Sequence, residues 1–175
     1  MVTTPLGWCL ALPWLLLWSA QAISEGHPSL TLEIEAQVLN QPCSLSPAST
    51  DITLNFKELA NRDLAIKGRS ASLPFTLVLT DCDSRVGDKV TVTFNGRSAP
   101  GNPGLLQTTG QGARAIAIGF EAGKTPLALG TPLIQPLKNG TTELAFAAYV
   151  TLIGKWQDLT PGAFAASATF TLEYP

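Results

Sequence analysis

The 175-residue chain is poor in the side chains that carry out chemistry. It has one histidine, His27, and three cysteines, and only 14% of its residues are charged. The lone imidazole sits beside Pro28 in a polar lead segment and reads as an exposed, idle ring. With two cysteines left after the leader it cannot make a closed zinc site of the usual kind. No G-x-S-x-G, phosphate-loop or H-E-x-x-H pattern occurs. An active site therefore lacks the convergent groups it needs, and the chain is not read as an enzyme. Net charge is -2, with no long basic run and no acidic tail. That removes nucleic acid and acidic lipid from the expected partners. No amphipathic helical stripe exceeds two turns, and no unit of roughly 20–50 residues repeats. No cofactor, no metal and no small-molecule substrate is expected.

What is present is apolar residues and turn chemistry: 45% hydrophobic, with 15 glycines and 13 prolines. That is enough for one core of ordinary size. Residues 1–22 are a different material. Positions 6–18 are almost wholly apolar, and no charged side chain precedes Glu25. Ala20 and Ala22 put small residues at the -3 and -1 positions of a signal-peptidase site. Residues 1–22 read as a secretory signal cut after Ala22, although no Lys or Arg precedes the apolar run. The alternative is an N-terminal membrane anchor, for which the run is shorter than the roughly 20 residues a bilayer needs.

Export sets the cysteine chemistry. Cys9 leaves with the signal, and Cys43 and Cys82 remain as an even pair in an oxidising compartment. A bridge closing a loop of about 40 residues stabilises by roughly 4 kcal/mol in the chain-entropy model. Two free buried thiols are the alternative.

The chain after the leader divides into short strand-like runs. Ile52, Leu54 and Phe56 alternate. Residues 73–79 are an apolar-rich run ending just before Asp81-Cys82. Val90, Val92 and Phe94 alternate up to the Asn95-Gly96 turn. Residues 98–112, rich in Gly, Pro and Ser, read as a surface loop. Residues 115–120 form another strand, and Leu144, Phe146 and Ala148 alternate once more. Residues 58–66 allow one short helical turn. Many short strands spaced by turns indicate a β-sandwich. Three smaller features have both a functional and a bland reading. Asp81, Asp83 and Asp88 form either a calcium site or a solvated loop. Asn139-Gly140-Thr141 matches a glycosylation acceptor. Trp156 is either a sugar platform or a half-buried loop aromatic.

The two ends of the chain carry the clearest pattern. Phe164, Ala166, Ala168, Phe170, Leu172 and Tyr174 fall at every second position, the period of a strand with one buried face. Leu30, Leu32, Ile34, Ala36 and Val38 repeat that period, with Thr31, Glu33, Glu35 and Gln37 between them.

Taken together, these residues resemble the pilin subunits of the chaperone–usher class, the type 1 and P fimbrial family of Gram-negative bacteria. The resemblance runs through Val38-Leu39-Asn40-Gln41-Pro42-Cys43, residues 75–82, Val90 to Gly96, residues 117–120, residues 144–149 and Pro161-Gly162-Ala163-Phe164. It is sharpest at the C-terminus, where the family signature is alternating apolar residues, a glycine fourteen from the end and a penultimate tyrosine. Gly162 and Tyr174 hold those places. One departure is Ala36, where members usually carry glycine.

The resemblance implies an all-β fold, an incomplete immunoglobulin-like β-sandwich lacking the last strand and completed by a donor strand from another chain. It implies three segments: a signal peptide (1–22), an N-terminal donor-strand extension (23–37) and a pilin domain (38–175). Leu30, Leu32, Ile34, Ala36 and Val38 are the expected donor residues. Gly162, Phe164, Ala166, Ala168, Phe170, Leu172 and Tyr174 are the expected chaperone- and acceptor-groove strand. The implied partners are a periplasmic pilus chaperone, an outer-membrane usher and neighbouring pilin subunits, in a fimbria on the cell surface that supports adhesion. Other readings are an adhesive or terminator subunit of the same fimbria, and a self-complete secreted immunoglobulin-like binding domain in which residues 30–38 pair at home.

Overall fold

The computed structural model describes residues 41–175. The expected leader, donor extension and donor residues Leu30, Leu32, Ile34, Ala36 and Val38 lie outside the described residues.

Ten strands and one short helix follow in order: β1 (Ser44–Leu45), α1 (Asn61–Lys67), β2 (Leu73–Cys82), β3 (Lys89–Gly96), β4 (Ser98–Ala99), β5 (Asn102–Gln107), β6 (Ile116–Ala122), β7 (Thr125–Leu127), β8 (Leu133–Pro136), β9 (Gly140–Leu152) and β10 (Ala168–Glu173). The larger sheet has the order β1-β2-β9-β6-β5-β4, with β7 added on β6. The smaller sheet has the order β10-β3-β8. Every pair between these strands is antiparallel.

The alternating runs of β3 and β9 became strands because each has one face to bury. On β9, Thr142, Leu144, Phe146 and Ala148 turn inward while Glu143 and Ala145 face out. On β3, Val90, Val92 and Phe94 are buried between half-buried threonines. Five phenylalanines tie the sheets together. Phe94 stacks on Phe120 at 4.8 Å and meets Phe146, Phe75 and Phe170 at 5.0, 5.9 and 6.4 Å. Cys43 and Cys82 are joined and buried, clamping the segment before β1 to the end of β2.

Three expectations needed correction, and one strand had not been expected. Residues 98–112 are not a plain loop: β4 and β5 form a hairpin, turning at Gly101 with φ 72°. Leu106 anchors it, filling the space that any side chain at Gly96 would occupy. Strand β8 went unforeseen because Leu133-Ile134-Gln135-Pro136 has no clean alternation at its sheet edge. Ile52, Leu54 and Phe56 lie in a segment with no strand partner among the described residues. The terminal strand is shorter than its pattern. Its ladder runs only through β10, and Ala168, paired with Gly96, is exposed rather than turned to the core.

Candidate strand-acceptor groove

Two stretches of backbone border the apolar interior without closing it. The first is residues 52–59. Ile52, Leu54, Phe56 and Leu59 pack against the core but stay half-buried. Among the described residues, no backbone hydrogen bond reaches a main-chain group from 52 to 59. The run ends at Lys57, whose φ is 53° and whose N–H donates to Asn55 Oδ1 at 2.8 Å. That local turn takes the chain out of the extended course.

The second stretch is residues 164–174. Phe164, Ala166, Phe170, Leu172 and Tyr174 also pack on the core while half-exposed. One edge is satisfied in two sections. From Ala168 to Glu173 it pairs with β3, with Phe170 opposite Phe94. Nearer its start, Ala165 exchanges two backbone bonds with Thr109, and the Gly112 N–H donates to the Ala163 carbonyl. The other edge of β10 has no strand beside it among the described residues. Tyr174 shows how far the wall is closed: desolvation raises its phenol above the usual range, yet the ring is not fully covered.

Glycines make the first section of that wall. A Cβ on Gly110 would come 2.5 Å from the Ala163 carbonyl oxygen, and one on Gly112 would run into the Gly162 carbonyl. Gly162 itself has φ 147°, outside the range of most L side chains. The glycine expected from the sequence therefore lies on the groove wall but is exposed, and its role is to let two backbones meet.

The two walls converge at one end. The Phe56 and Phe164 rings are 6.5 Å apart. Beyond them a cavity of about 380 Å³ opens, lined by Lys57, Leu59, Leu64, Leu159, Gly162 and Phe164 among others. Leu64 from α1 and Leu159 had no signal in the alternating pattern that marked the walls. They join the site through the chain's tertiary path alone.

The remaining candidate features are surface chemistry. Asp83 is paired with Arg85, whose side-chain and backbone N–H groups hold its carboxyl down at about 2. No group of three or more metal-binding side chains occurs among the described residues. Asn139 uses its Oδ1 to accept from the Ser84 N–H. Trp156 is 58% exposed in a short 3-10 turn. A half-buried ion pair also went unseen in the sequence. Arg69 lies 3.6 Å over the Tyr149 ring and donates to Glu121 Oε2 at 3.0 Å. The Tyr149 ring in turn covers Gly119, its cross-strand neighbour, where a Cβ would collide with it. These contacts fix residues 68–72 to the larger sheet, which they join through Ser70 and Val150.

A sandwich of two antiparallel sheets with one strand position left open is an incomplete immunoglobulin-like fold of the pilin kind. Comparison with known proteins agrees. The fimbrial protein family model matches residues 30–175, so the chain belongs to that family, a structural pilin subunit of the chaperone–usher class. It is 34% identical to the Fimbria A protein of Serratia marcescens, over 89% of this chain and 88% of that one. It is 31% identical to the fimbrial adapter PapK of Escherichia coli, over 91% and 96%. Among solved structures, the P pilus rod subunit PapA is 27% identical with a TM-score of 0.69, covering 77% of this chain and all of that one. A chaperone–usher pilus structure gives 26% identity and a TM-score of 0.69, covering 89% of this chain.

Proposed function

We propose that the groove between residues 52–59 and 164–174 receives a β-strand from another polypeptide, first a periplasmic pilus chaperone and then a neighbouring subunit. Residues 30–38 are the strand this chain donates in return. The subunit passes through the periplasm and the outer-membrane usher to a surface fimbria that supports adhesion. Strand addition of this kind is a known mode of β-augmentation, and chaperone–pilin complementation is its standard example.

One observation carries the reading: two half-buried apolar walls, each with an unpaired backbone edge, border the same core. Such an edge left bare is a template for aggregation. Residues 30–38 have the matching form, with five alternating apolar side chains and a polar opposite face. Burying them is worth roughly 7–12 kcal/mol gross, before ordering costs are subtracted. Main-chain hydrogen bonds to the open edges fix direction.

The test is deletion of residues 23–37. The shortened chain is expected to bind chaperone and accumulate in the periplasm, but to build no fibre in which it donates to a neighbour. Fibres of normal length made from it alone would overturn the proposal.

A further inference from the structure

We infer that the subunit carries a second interface with its neighbour, in which the apolar pair Ile66 and Trp156 of one copy packs against the 81–88 loop of the copy that donates a strand to it. The inference rests on the strand-exchange reading and adds a body-to-body contact to it.

Chain reach sets where the donor's body lies. All strand pairs in the described ladders are antiparallel, so a donated strand beside β10 runs against it. Leu30 then lies near Tyr174, and Val38 lies near Phe164, at the end where the cavity opens. From Val38 to Cys43 there are five residues, at most about 18 Å of chain. Cys43 is locked into the donor's body by its bridge to Cys82. The donor's body therefore sits against the cavity mouth.

The face it presents there is known from the fold. The Asp83 N–H donates to the Pro42 carbonyl at 2.8 Å, and Gly87 packs against the Pro42 ring. The point where the donor strand enters its own domain is thus flanked by the 81–88 loop. That loop exposes Val86 at 46% and carries Asp81, Asp83 and Asp88 against Arg85, a net negative set.

The face it meets has the complementary character. Leu64 and Leu159 line the cavity. Two residues past Leu64 on α1 is Ile66, 69% exposed. Trp156, 58% exposed, accepts at its carbonyl from the Leu159 N–H. These are two of the four large hydrophobics exposed among the described residues, and Val86 is a third. Residues 61–67 and 155–158 carry Arg62, Lys67 and Lys155 against Asp63 and Asp158, a net positive set. Opposite ends of one chain therefore match in charge and in apolar content. A contact between unlike faces of identical copies builds an open filament where its rotation does not close into a ring. The occupant is thus a second copy of this chain, which follows itself in the fibre.

The test uses the full chain, expressed with its chaperone and usher and carrying Trp156→p-benzoylphenylalanine. Irradiated fibres are digested and the cross-linked peptides sequenced. The expected product joins position 156 to residues 81–88 of another copy. Cross-links only within the chain, to another surface, or to a different polypeptide overturn the inference. A parallel variant, Val86→Asp, is expected to shed subunits from fibres at least tenfold faster in mild denaturant while chaperone capture stays unchanged. Equal shedding also overturns it. Binding of a synthetic peptide of residues 23–40 to the 23–37 deletion variant is read alongside. Failure of that binding refutes strand exchange itself, whereas binding with no cross-link refutes only the second interface.

Discussion

Phe170 is the side chain through which the groove wall grips the core, and replacing it with alanine measures that grip. It sits opposite Phe94 in the β10–β3 ladder, with ring centroids 6.4 Å apart. Phe94 in turn contacts Phe75, Phe120 and Phe146 of the other sheet. A fully buried Phe→Ala change costs about 3–5 kcal/mol. Phe170 is only half-buried, so about 2 kcal/mol is expected. With a urea dependence of about 2 kcal/mol per molar, the unfolding midpoint falls by about 1 M.

The assay is urea unfolding of the mature chain lacking residues 23–37, with a peptide of residues 23–40 in the groove. Thr171→Ala is the control, since Thr171 is on the same strand but faces solvent. Its cost should stay within about 0.5 kcal/mol. If the two variants melt at the same urea concentration, the terminal strand does not seal the phenylalanine cluster. The wall would then be decoration on a core that closes without it.

Two further outcomes follow from other contacts. Gly112→Ala is expected to lower chaperone-bound yield severalfold while Gln111→Ala leaves it intact, because only a Cβ at 112 strikes the Gly162 carbonyl. Equal yields would show that the 163–165 wall yields freely. Glu121→Gln should change how stability depends on pH. The Ser72 hydroxyl first, then the Arg69 guanidinium, hold the Glu121 carboxyl below its ordinary 4.5. A depressed folded-state pKa gives stability that is present above the ordinary value and lost as pH falls through the folded one. The gap in urea midpoint between wild type and variant should be constant above about pH 5 and shrink below about pH 4. A gap unchanged at low pH would mean that Glu121 contributes by shape alone.

What the sequence showed and what it hid divide along a physical line. Strands β3, β9 and β10 were legible because each separates a buried face from a wet one, and that separation is written at every second residue. The β4–β5 hairpin was hidden because its fold depends on Leu106 entering the gap over Gly96, a contact between residues ten apart. Alternation at Ile52, Leu54 and Phe56 gave the face correctly but could not say whether a neighbour strand exists. The cavity at the groove's end was hidden for the same reason. Leu64, Leu159 and Phe164 come from separate segments, and no local pattern brings them together. Ala168 had the right period yet faces solvent, because the strand changes partner between Ala165 and Ala168, from Thr109 to β3.

That change of partner bears on how the wall can stay in place without a strand beside it. A strand paired along one edge and bare on the other would normally fray at its end. Here residues 163–165 are held by three backbone bonds to Thr109 and Gly112, and residues 168–173 by β3. The wall is thus pinned both to the smaller sheet and to the segment that follows β5. Residues 52–59 have no such pinning among the described residues and rest on side-chain packing alone. A strand added as proposed would therefore meet one fixed edge and one adjustable edge, with register set by hydrogen bonding to residues 164–174 and the 52–59 segment settling onto its side chains.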